Sequence, residues 1–194
     1  MHKFALALIL LAFAFATTLS GCSPSWDVVQ ASGPPSALQG LGDFVIRTDY
    51  SRTVVDGNHE SVYVAEELED PEQQEHWAKA KELMDAGVLE RIAQLSPQVR
   101  FELAQGERGD AQGPEVLVEY LTIQPGYWGF FSKEAIVIAR VSFVVDGQVT
   151  DQISVEAEVN ASRYNPSVVD RLANIGRQIG YCGAQFLNEA QSGE

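Results

Sequence analysis

Residues 135–159 read AIVIARVSFVVDGQVTDQISVEAEV, and this stretch decides the fold class. Ala135 to Val145 has apolar residues on both faces near its start, which is typical of a strand inside a sheet. Asp146-Gly147 is a tight-turn signal for a β-hairpin. From Val149 to Val159 apolar and polar residues alternate, which predicts a second strand with one face toward water. The stretch therefore predicts a hairpin at the centre of a sheet.

Shorter strand patterns lie upstream of this hairpin. They are runs rich in β-branched or aromatic residues, or runs in which apolar and polar residues alternate. These runs occupy residues 43–55, 61–65, 99–103 and 116–123. Asp56-Gly57-Asn58-His59 separates the first two as a turn cluster. Together with the hairpin, they predict a mostly antiparallel sheet of about four to six strands.

Two amphipathic helices are expected, over about residues 71–95 and 166–190. The first starts with a capping Asp70 and with Pro71 at the first helical position, and Pro97 ends it. Each helix repeats apolar residues every three or four positions, which gives one apolar stripe. The stripes are Trp77, Ala80, Met84, Val88, Ile92 and Leu95, and then Leu172, Ile175, Ile179, Cys182 and Phe186.

Three glycines, Gly176, Gly180 and Gly183, lie within the turns of the second helix. Glycine inside a helix is costly unless the missing side chain is used, and we expect these residues to allow close approach to the sheet. Cys182 lies in the same stripe, where a lone cysteine is typically a small core residue. The elements predict an α+β two-layer fold over residues 43–190, followed by a polar tail at 191–194.

The N-terminus has the parts of a secretory signal peptide. Lys3 is followed by an apolar run from Phe4 to Ala16 and then by Leu19-Ser20-Gly21-Cys22. A positive charge, a short apolar run and small residues before a cleavage site define such signals. The run is shorter than the roughly 20 apolar residues that a membrane-spanning helix needs. Composition alone therefore predicts export and removal of this segment.

The tetrapeptide Leu19–Cys22 resembles the lipobox of bacterial lipoproteins. The resemblance implies that the chain is cut before Cys22, so that residues 1–21 are removed, and that Cys22 carries acyl chains such as palmitate. Two or more acyl chains give stable anchoring. Ser23 is similar to the residue found after the cysteine in lipoproteins exported to the outer membrane. This similarity implies that the protein is located at the periplasmic face of the outer membrane rather than at the inner membrane. The alternatives are an ordinary signal peptide with a chance cysteine, or an uncleaved helix.

Residues 22–42 are predicted to form the lipidated cysteine and a flexible tether. Three Pro, three Gly and four Ser occur between Ser23 and Gly42, with little periodicity. Such composition is typical of a linker between a membrane and a folded domain.

The charge of the chain excludes several classes of partner. Cleavage before Cys22 leaves 194 − 21 = 173 residues, and loss of Lys3 changes the net charge from −14 to −15. A surface this acidic repels nucleic acid and anionic lipid headgroups. We therefore expect no nucleic-acid partner, and we expect the acyl chains, not a basic patch, to hold the membrane.

No arrangement of residues predicts catalysis. Glu72 and His76 share one helical face, but the sequence places no third metal ligand beside them, and a solvated pair is the expected role. The Gly-x-Ser-x-Gly motif of hydrolases is not found. A hydrolase that uses carboxylates such as Glu119 or Glu134 is the least favoured function. The sequence therefore predicts no catalytic residue, no metal and no cofactor.

Four aromatic residues stand between two predicted strands: Tyr127, Trp128, Phe130 and Phe131. Exposed clusters of this kind mark contact with a partner or a membrane. The alternative is that these rings cover an open end of the core.

The element order over most of residues 43–190 looks like that of uncharacterised bacterial lipoprotein domains of unknown function. It is also loosely similar to small domains of periplasmic accessory lipoproteins in envelope assembly. The expected anchor, the tether, the missing catalytic residues and the aromatic cluster favour a non-enzymatic envelope lipoprotein that binds a protein partner. The alternative is a lipoprotein that binds a lipid or small ligand between its sheet and helices.

Overall fold

The computed structural model describes residues 24–56, 62–64, 71–104, 113–126, 133–161 and 167–193. Within these ranges the chain forms eight strands and two helices. The strands are β1 (Ser25–Gln30), β2 (Asp43–Asp49), β3 (Val54–Asp56), β4 (Val62–Val64), β5 (Arg100–Leu103), β6 (Glu115–Gln124), β7 (Ala135–Val145) and β8 (Gln148–Val159). The helices are α1 (Pro71–Leu95) and α2 (Val168–Ser192).

The strands form one sheet in the order β1-β8-β7-β6-β2-β5, and β3 joins β6 with β4 outside it. The β7–β8 hairpin lies inside the sheet, and β7 is antiparallel to both β6 and β8. Strand β2 is parallel to β5 and β6, and β3 is parallel to β6. The α+β class is confirmed. The sheet has more strands than expected, because β1 was not predicted and residues 43–55 contain two strands, β2 and β3. It also has more parallel pairing than expected, because the chain crosses over through α1 between β2 and β5.

Residues 25–42 are not the flexible tether predicted from their composition. Ser25 to Gln30 form β1, which pairs antiparallel with β8. Leu38 is fully buried. The amide and hydroxyl of Ser32 both donate to the carboxylate of Asp151, with donor–acceptor distances of 2.8 and 3.0 Å. The C-terminus of α2 also holds this segment, because the Gln191 side chain donates to the Leu41 carbonyl. Residue 191 therefore belongs to the folded domain and not to the predicted polar tail.

The core lies between one face of the sheet and the two helices. Alternate residues of the central strands are buried, as on β7, where Ala135, Val137, Ala139, Val141 and Phe143 are at most 1% exposed. They form one hydrophobic cluster with the apolar stripes of α1 and α2. Helix α1 has the predicted bounds, and α2 starts after an N-cap at Ser167, whose hydroxyl accepts from the Asp170 amide.

Helices α1 and α2 run parallel to each other. The pairs of residues in contact show this, since a later residue of α2 contacts a later residue of α1. A Cβ atom on Gly176 would meet the backbone of Met84, and one on Gly180 would meet the backbone of Val88. The expectation that these glycines approach the sheet is therefore wrong for both of them. They allow α1 and α2 to pack backbone to backbone. Only Gly183, among the three, faces a strand residue, Val141, at ordinary contact distance.

The opposite face of the sheet carries polar pairs. Arg47 Nε lies 3.0 Å from Glu115 Oε1, and both side chains are largely buried. The Gln152 amide donates to the Ser142 hydroxyl at 2.8 Å. Side chains of neighbouring strands cover one another here, and neither helix packs on this face.

Candidate functional site

One end of the sheet gathers the starts of both helices. Strand β6 ends here and β7 begins here, since Gln124 pairs with Ile136. Strand β8 ends here with Val159 opposite Ala135. We call this side of the molecule the cleft end, because the first turns of α1 and α2 meet the end of β6 around a cleft.

The cleft has a volume of about 500 Å³. This lies within the range of about 300–1,000 Å³ that is usual for small-ligand sites. Its described walls are mainly apolar, and His76 and Ser167 are the polar residues among them. The apolar lining includes Val55, Trp77, Ile123, Pro125, Val168 and Leu172. Such a surface binds apolar groups through the hydrophobic effect and offers little to a polar substrate.

Trp77 is held in the wall of the cleft by two tyrosines. Its ring meets the ring of Tyr50 edge to face, with centroids 5.7 Å apart. Tyr50 in turn stacks on Tyr120 at 4.5 Å. Aromatic pairs in these geometries contribute about 0.5–1.5 kcal/mol beyond their buried area. The indole therefore has a fixed orientation beside the cleft.

The carboxylate of Asp85 fixes the position of this aromatic group through hydrogen bonds. The Tyr50 hydroxyl donates to Asp85 Oδ1 at 2.6 Å, and the Thr48 hydroxyl donates to Oδ2 at 3.0 Å. Burial raises the pKa of the Asp85 carboxyl, and the two hydrogen bonds and the charge of Lys81 oppose this rise. Burial also raises the pKa of Tyr50 and of Tyr120. Both tyrosines therefore stay neutral, and the hydrogen bonds of Tyr50 and Thr48 to Asp85 link the sheet to α1.

Arg171 positions the rim of the cleft. Its side chain is buried, and Nη2 donates to the Pro125 carbonyl at 3.2 Å. Burial lowers the pKa of the guanidinium, but an arginine stays charged at neutral pH. The end of β6 is thus tied to the first turn of α2.

The residues singled out from the sequence are only partly described. Cys22, Tyr127, Trp128, Phe130 and Phe131 lie outside the described residues. The residues on either side of the aromatic segment (residues 127–131) are described. Gly126 and Glu134 lie next to each other at the cleft end. A Cβ on Gly126 would lie 2.3 Å from the Glu134 carbonyl oxygen.

The candidate carboxylates of a hydrolase are not brought together. Glu119 faces Arg140 across β6 and β7, with Oε2 3.9 Å from Nη1. Glu134 precedes β7 beside Gly126. Strand β6 ends at Gln124, close to Gly126 and Glu134. Glu119 is five residues before Gln124, so that roughly 16 Å of strand separates Glu119 from this end of β6. Among the described residues, no group of three or more His, Cys, Asp or Glu side chains could hold a metal ion.

Cys182 is confirmed as a core residue. It is fully buried, and burial raises the pKa of its thiol to about 12. The cleft could not be found from the sequence, because its walls come from four separated segments. The weak signal available was Trp77, the largest residue at the start of the α1 stripe.

The sequence matches no protein-family model and no curated protein. Several solved structures are similar to it. A PelC dodecamer from Paraburkholderia phytofirmans has 8% identity and a TM-score of 0.40, and the match covers 81% of this chain and 95% of that chain. A Xanthomonas campestris protein of the DUF330 family has 10% identity and a TM-score of 0.48, covering 78% and 86%. An uncharacterised protein has 13% identity and a TM-score of 0.39, covering 76% and 92%.

Two of these three structures belong to proteins described as uncharacterised or as a domain of unknown function. At this level of similarity no activity, ligand or partner follows for the present chain. Neither helix in the described part of the chain is long and apolar enough to cross a membrane.

Proposed function

We propose that the protein is a non-enzymatic lipoprotein of the bacterial cell envelope, held by acyl chains on Cys22 and binding a protein partner at the periplasmic face of the outer membrane. The observation that carries this proposal is the position of β1. It begins at Ser25, and the three residues from Cys22 span at most about 10 Å. An anchor at Cys22 would thus hold the folded domain close to the bilayer.

The aromatic segment gives the proposal a contact surface. It connects β6 to β7, and both strands reach the cleft end. Strand β1 also starts toward this end, because it runs antiparallel to β8 and Ser25 pairs with Glu156. We therefore propose Tyr127, Trp128, Phe130 and Phe131 as the residues that contact the partner or the membrane. Tyrosine and tryptophan are enriched at such interfaces.

The charge supports a protein partner with a basic surface. The mature chain carries a net charge of −15 after loss of Lys3. Complementary charge speeds association and selects among partners. The face of the sheet opposite α1 and α2 offers further area, and Ile138 on it is 36% exposed.

Labelling with radioactive palmitate tests the anchor. The wild-type protein is expected to take up label and to sediment with outer-membrane markers. Cys22→Ala should abolish labelling, whereas the matched control Cys182→Ala should retain it, because Cys182 is buried in the core. Label that persists in Cys22→Ala, or recovery only with inner-membrane markers, would contradict the proposal.

Crosslinking in intact envelopes tests the partner. We expect a specific protein adduct that is lost in both Cys22→Ala and the double variant Trp128→Ala/Phe131→Ala. Thermal unfolding of the double variant separates the two interpretations of the aromatics. Unchanged stability supports a contact surface, while a large loss supports a cover for the core. The absence of any adduct would count against partner binding.

A second candidate function is binding of a lipid or small apolar ligand. The apolar cleft of about 500 Å³ favours it.

A further inference from the structure

We propose that the cleft receives an acyl chain of a zwitterionic phospholipid from the bilayer in which Cys22 is anchored. This inference rests on the proposed anchoring and assigns a ligand class to the cleft. It follows from the height of the cleft relative to the anchor, from the chemistry of the cleft walls, and from the charges around its opening.

The start of β1 and the cleft lie at nearly the same height on the sheet. Strand register places one residue of each of five strands in a single row: Ser25, Glu156, Ile138, Thr122 and Val54. The cleft residues Ile123 and Val55 are the next residues beyond this row, toward the cleft end. One residue of strand rises about 3.3 Å. Because β1 begins at Ser25 in this row, an anchor three residues earlier, at Cys22, would lie within about 10 Å of this level.

Strand β1, which follows the proposed anchor, and the cleft beside β6 lie apart across the width of the sheet. Strands β1 and β6 are three positions apart in the sheet, which is roughly 14 Å at the usual strand spacing. The acyl chains of Cys22 can therefore stay in the bilayer while the cleft faces other lipids beside them. This separation favours a bilayer lipid over the acyl chains of Cys22 as the occupant.

The walls of the cleft fit a hydrocarbon chain. Trp77, Ile123, Pro125 and Leu172 present apolar surface, and no Lys, Arg, Asp or Glu lines the described part of the cleft. A free fatty acid would leave its carboxylate without an ion-pair partner there. The headgroup of a phospholipid, in contrast, stays outside in the aqueous interface.

The charges around the opening select the headgroup. Glu72 and Glu75 are exposed on the first turns of α1, and Asp170 is exposed on the first turn of α2. The cations beside them are Lys81, whose Nζ lies 5.8 Å from the centroid of the Trp77 ring, and the buried Arg171. These carboxylates repel anionic headgroups and attract an ammonium group. A zwitterionic lipid with an exposed ammonium, such as phosphatidylethanolamine, is therefore the expected ligand class.

The test uses the mature acylated protein in vesicles of phosphatidylethanolamine and phosphatidylcholine. A phosphatidylethanolamine probe with a diazirine on its acyl chain is photoactivated, and mass spectrometry maps the adducts. We expect adducts on the starts of α1 and α2. Val168→Trp fills the cleft and should lower labelling there at least five-fold. Val28→Trp, at an exposed apolar position of β1, should leave it unchanged. Val55→Phe is a second filling variant, and circular dichroism checks that each variant is folded.

The outcomes separate the ligand from the anchor. Normal acylation and membrane recovery without adducts in the cleft would overturn the ligand proposal and leave the anchor in place. Adducts that Val168→Trp and Val55→Phe do not lower would also overturn it, because the lipid would then lie on the outer surface. Equal labelling by a phosphatidylglycerol probe would overturn the choice of headgroup. Loss of palmitate labelling in the wild type would overturn both proposals.

Discussion

Gly176 of α2 lies directly against Met84 of α1: a Cβ atom on residue 176 would come within 2.2 Å of the Met84 carbonyl oxygen. Gly87 of α1 makes the reciprocal contact, since its Cβ would lie 2.7 Å from the Ala173 carbonyl oxygen. Both neighbours are backbone atoms, which cannot move aside as a side chain can. The glycines therefore fix the distance between the helices.

The substitution Gly176→Ala is expected to destabilise the protein by about 3 kcal/mol or more. Overpacking of a core typically costs about 1–3 kcal/mol, and here the added methyl meets backbone. The gain in helix propensity, about 1 kcal/mol, does not offset this. Urea unfolding followed by circular dichroism measures the change.

Gly183→Ala is the matched control in the same helix. Its Cβ would lie 3.5 Å from Ile92 Cδ1 and 3.8 Å from Val141 Cγ1, which are ordinary contact distances. We expect unchanged stability or a gain of up to about 1 kcal/mol. Equal losses at both positions would mean that the helices are not packed through Gly176.

The helices were the most predictable part of this fold. The periodic stripe from Trp77 to Leu95 identified α1, because it reports which face of a helix is buried, and Pro71 and Pro97 marked its bounds. The stripe does not report what lies opposite that face. The close neighbour of Gly176 and Gly180 was therefore expected in the sheet and is found in α1.

Strand β1 was not predicted because its local signals oppose it. Pro, Gly and Ser dominate residues 23–42, and they favour turns in any local reading. The strand exists through pairing with β8, more than 120 residues later for most of its length. The cleft was missed for the same reason, since its walls meet only through long-range pairing and helix packing.

Trp26→Ala tests whether β1 belongs to the folded domain. The Trp26 ring packs edge to face on Phe186 with centroids 5.9 Å apart. A tether residue would tolerate this change, whereas removal of a packed aromatic in the core costs about 3–5 kcal/mol. Because Trp26 is only half-buried, we expect a loss of about 2 kcal/mol in urea unfolding.

Val28→Ala provides the comparison within the same strand. Val28 is 54% exposed, and substitutions at such surface positions usually change stability by less than about 0.5 kcal/mol. Similar small effects at residues 26 and 28 would argue for the flexible tether.

Asp85 predicts a pH dependence of stability. Burial raises its pKa in the folded protein, whereas in the unfolded chain the value is near about 3.9. Between the two values the folded protein binds a proton that the unfolded chain has lost. The free energy of unfolding therefore falls as pH rises through this window. Asp85→Asn should remove this contribution, seen as the difference between the two unfolding curves measured from pH 3.5 to 7 at intervals of about half a unit.

Asp85→Ala separates the hydrogen bonds from the charge. It leaves the Tyr50 hydroxyl without its acceptor at 2.6 Å, and an unsatisfied buried donor costs about 1–3 kcal/mol. We expect this loss at every pH, and we expect Asp85→Asn to avoid most of it, because the amide oxygen can still accept from Tyr50. A pH dependence in Asp85→Asn as steep as in the wild type would assign the effect to another group.

Cys182 is expected to resist thiol reagents in the folded protein and to react once the chain unfolds. Its side chain is fully buried, and burial raises the thiol pKa to about 12. At pH 8 the thiol therefore stays protonated and unreactive in the folded protein. In Cys22→Ala this residue is the one remaining cysteine of the chain. Titration of that variant with a chromogenic disulfide should thus detect no thiol in buffer and one thiol in guanidinium chloride. Rapid reaction in buffer would show that α2 opens at Cys182, and the same experiment on Gly176→Ala should detect that opening if the helices separate.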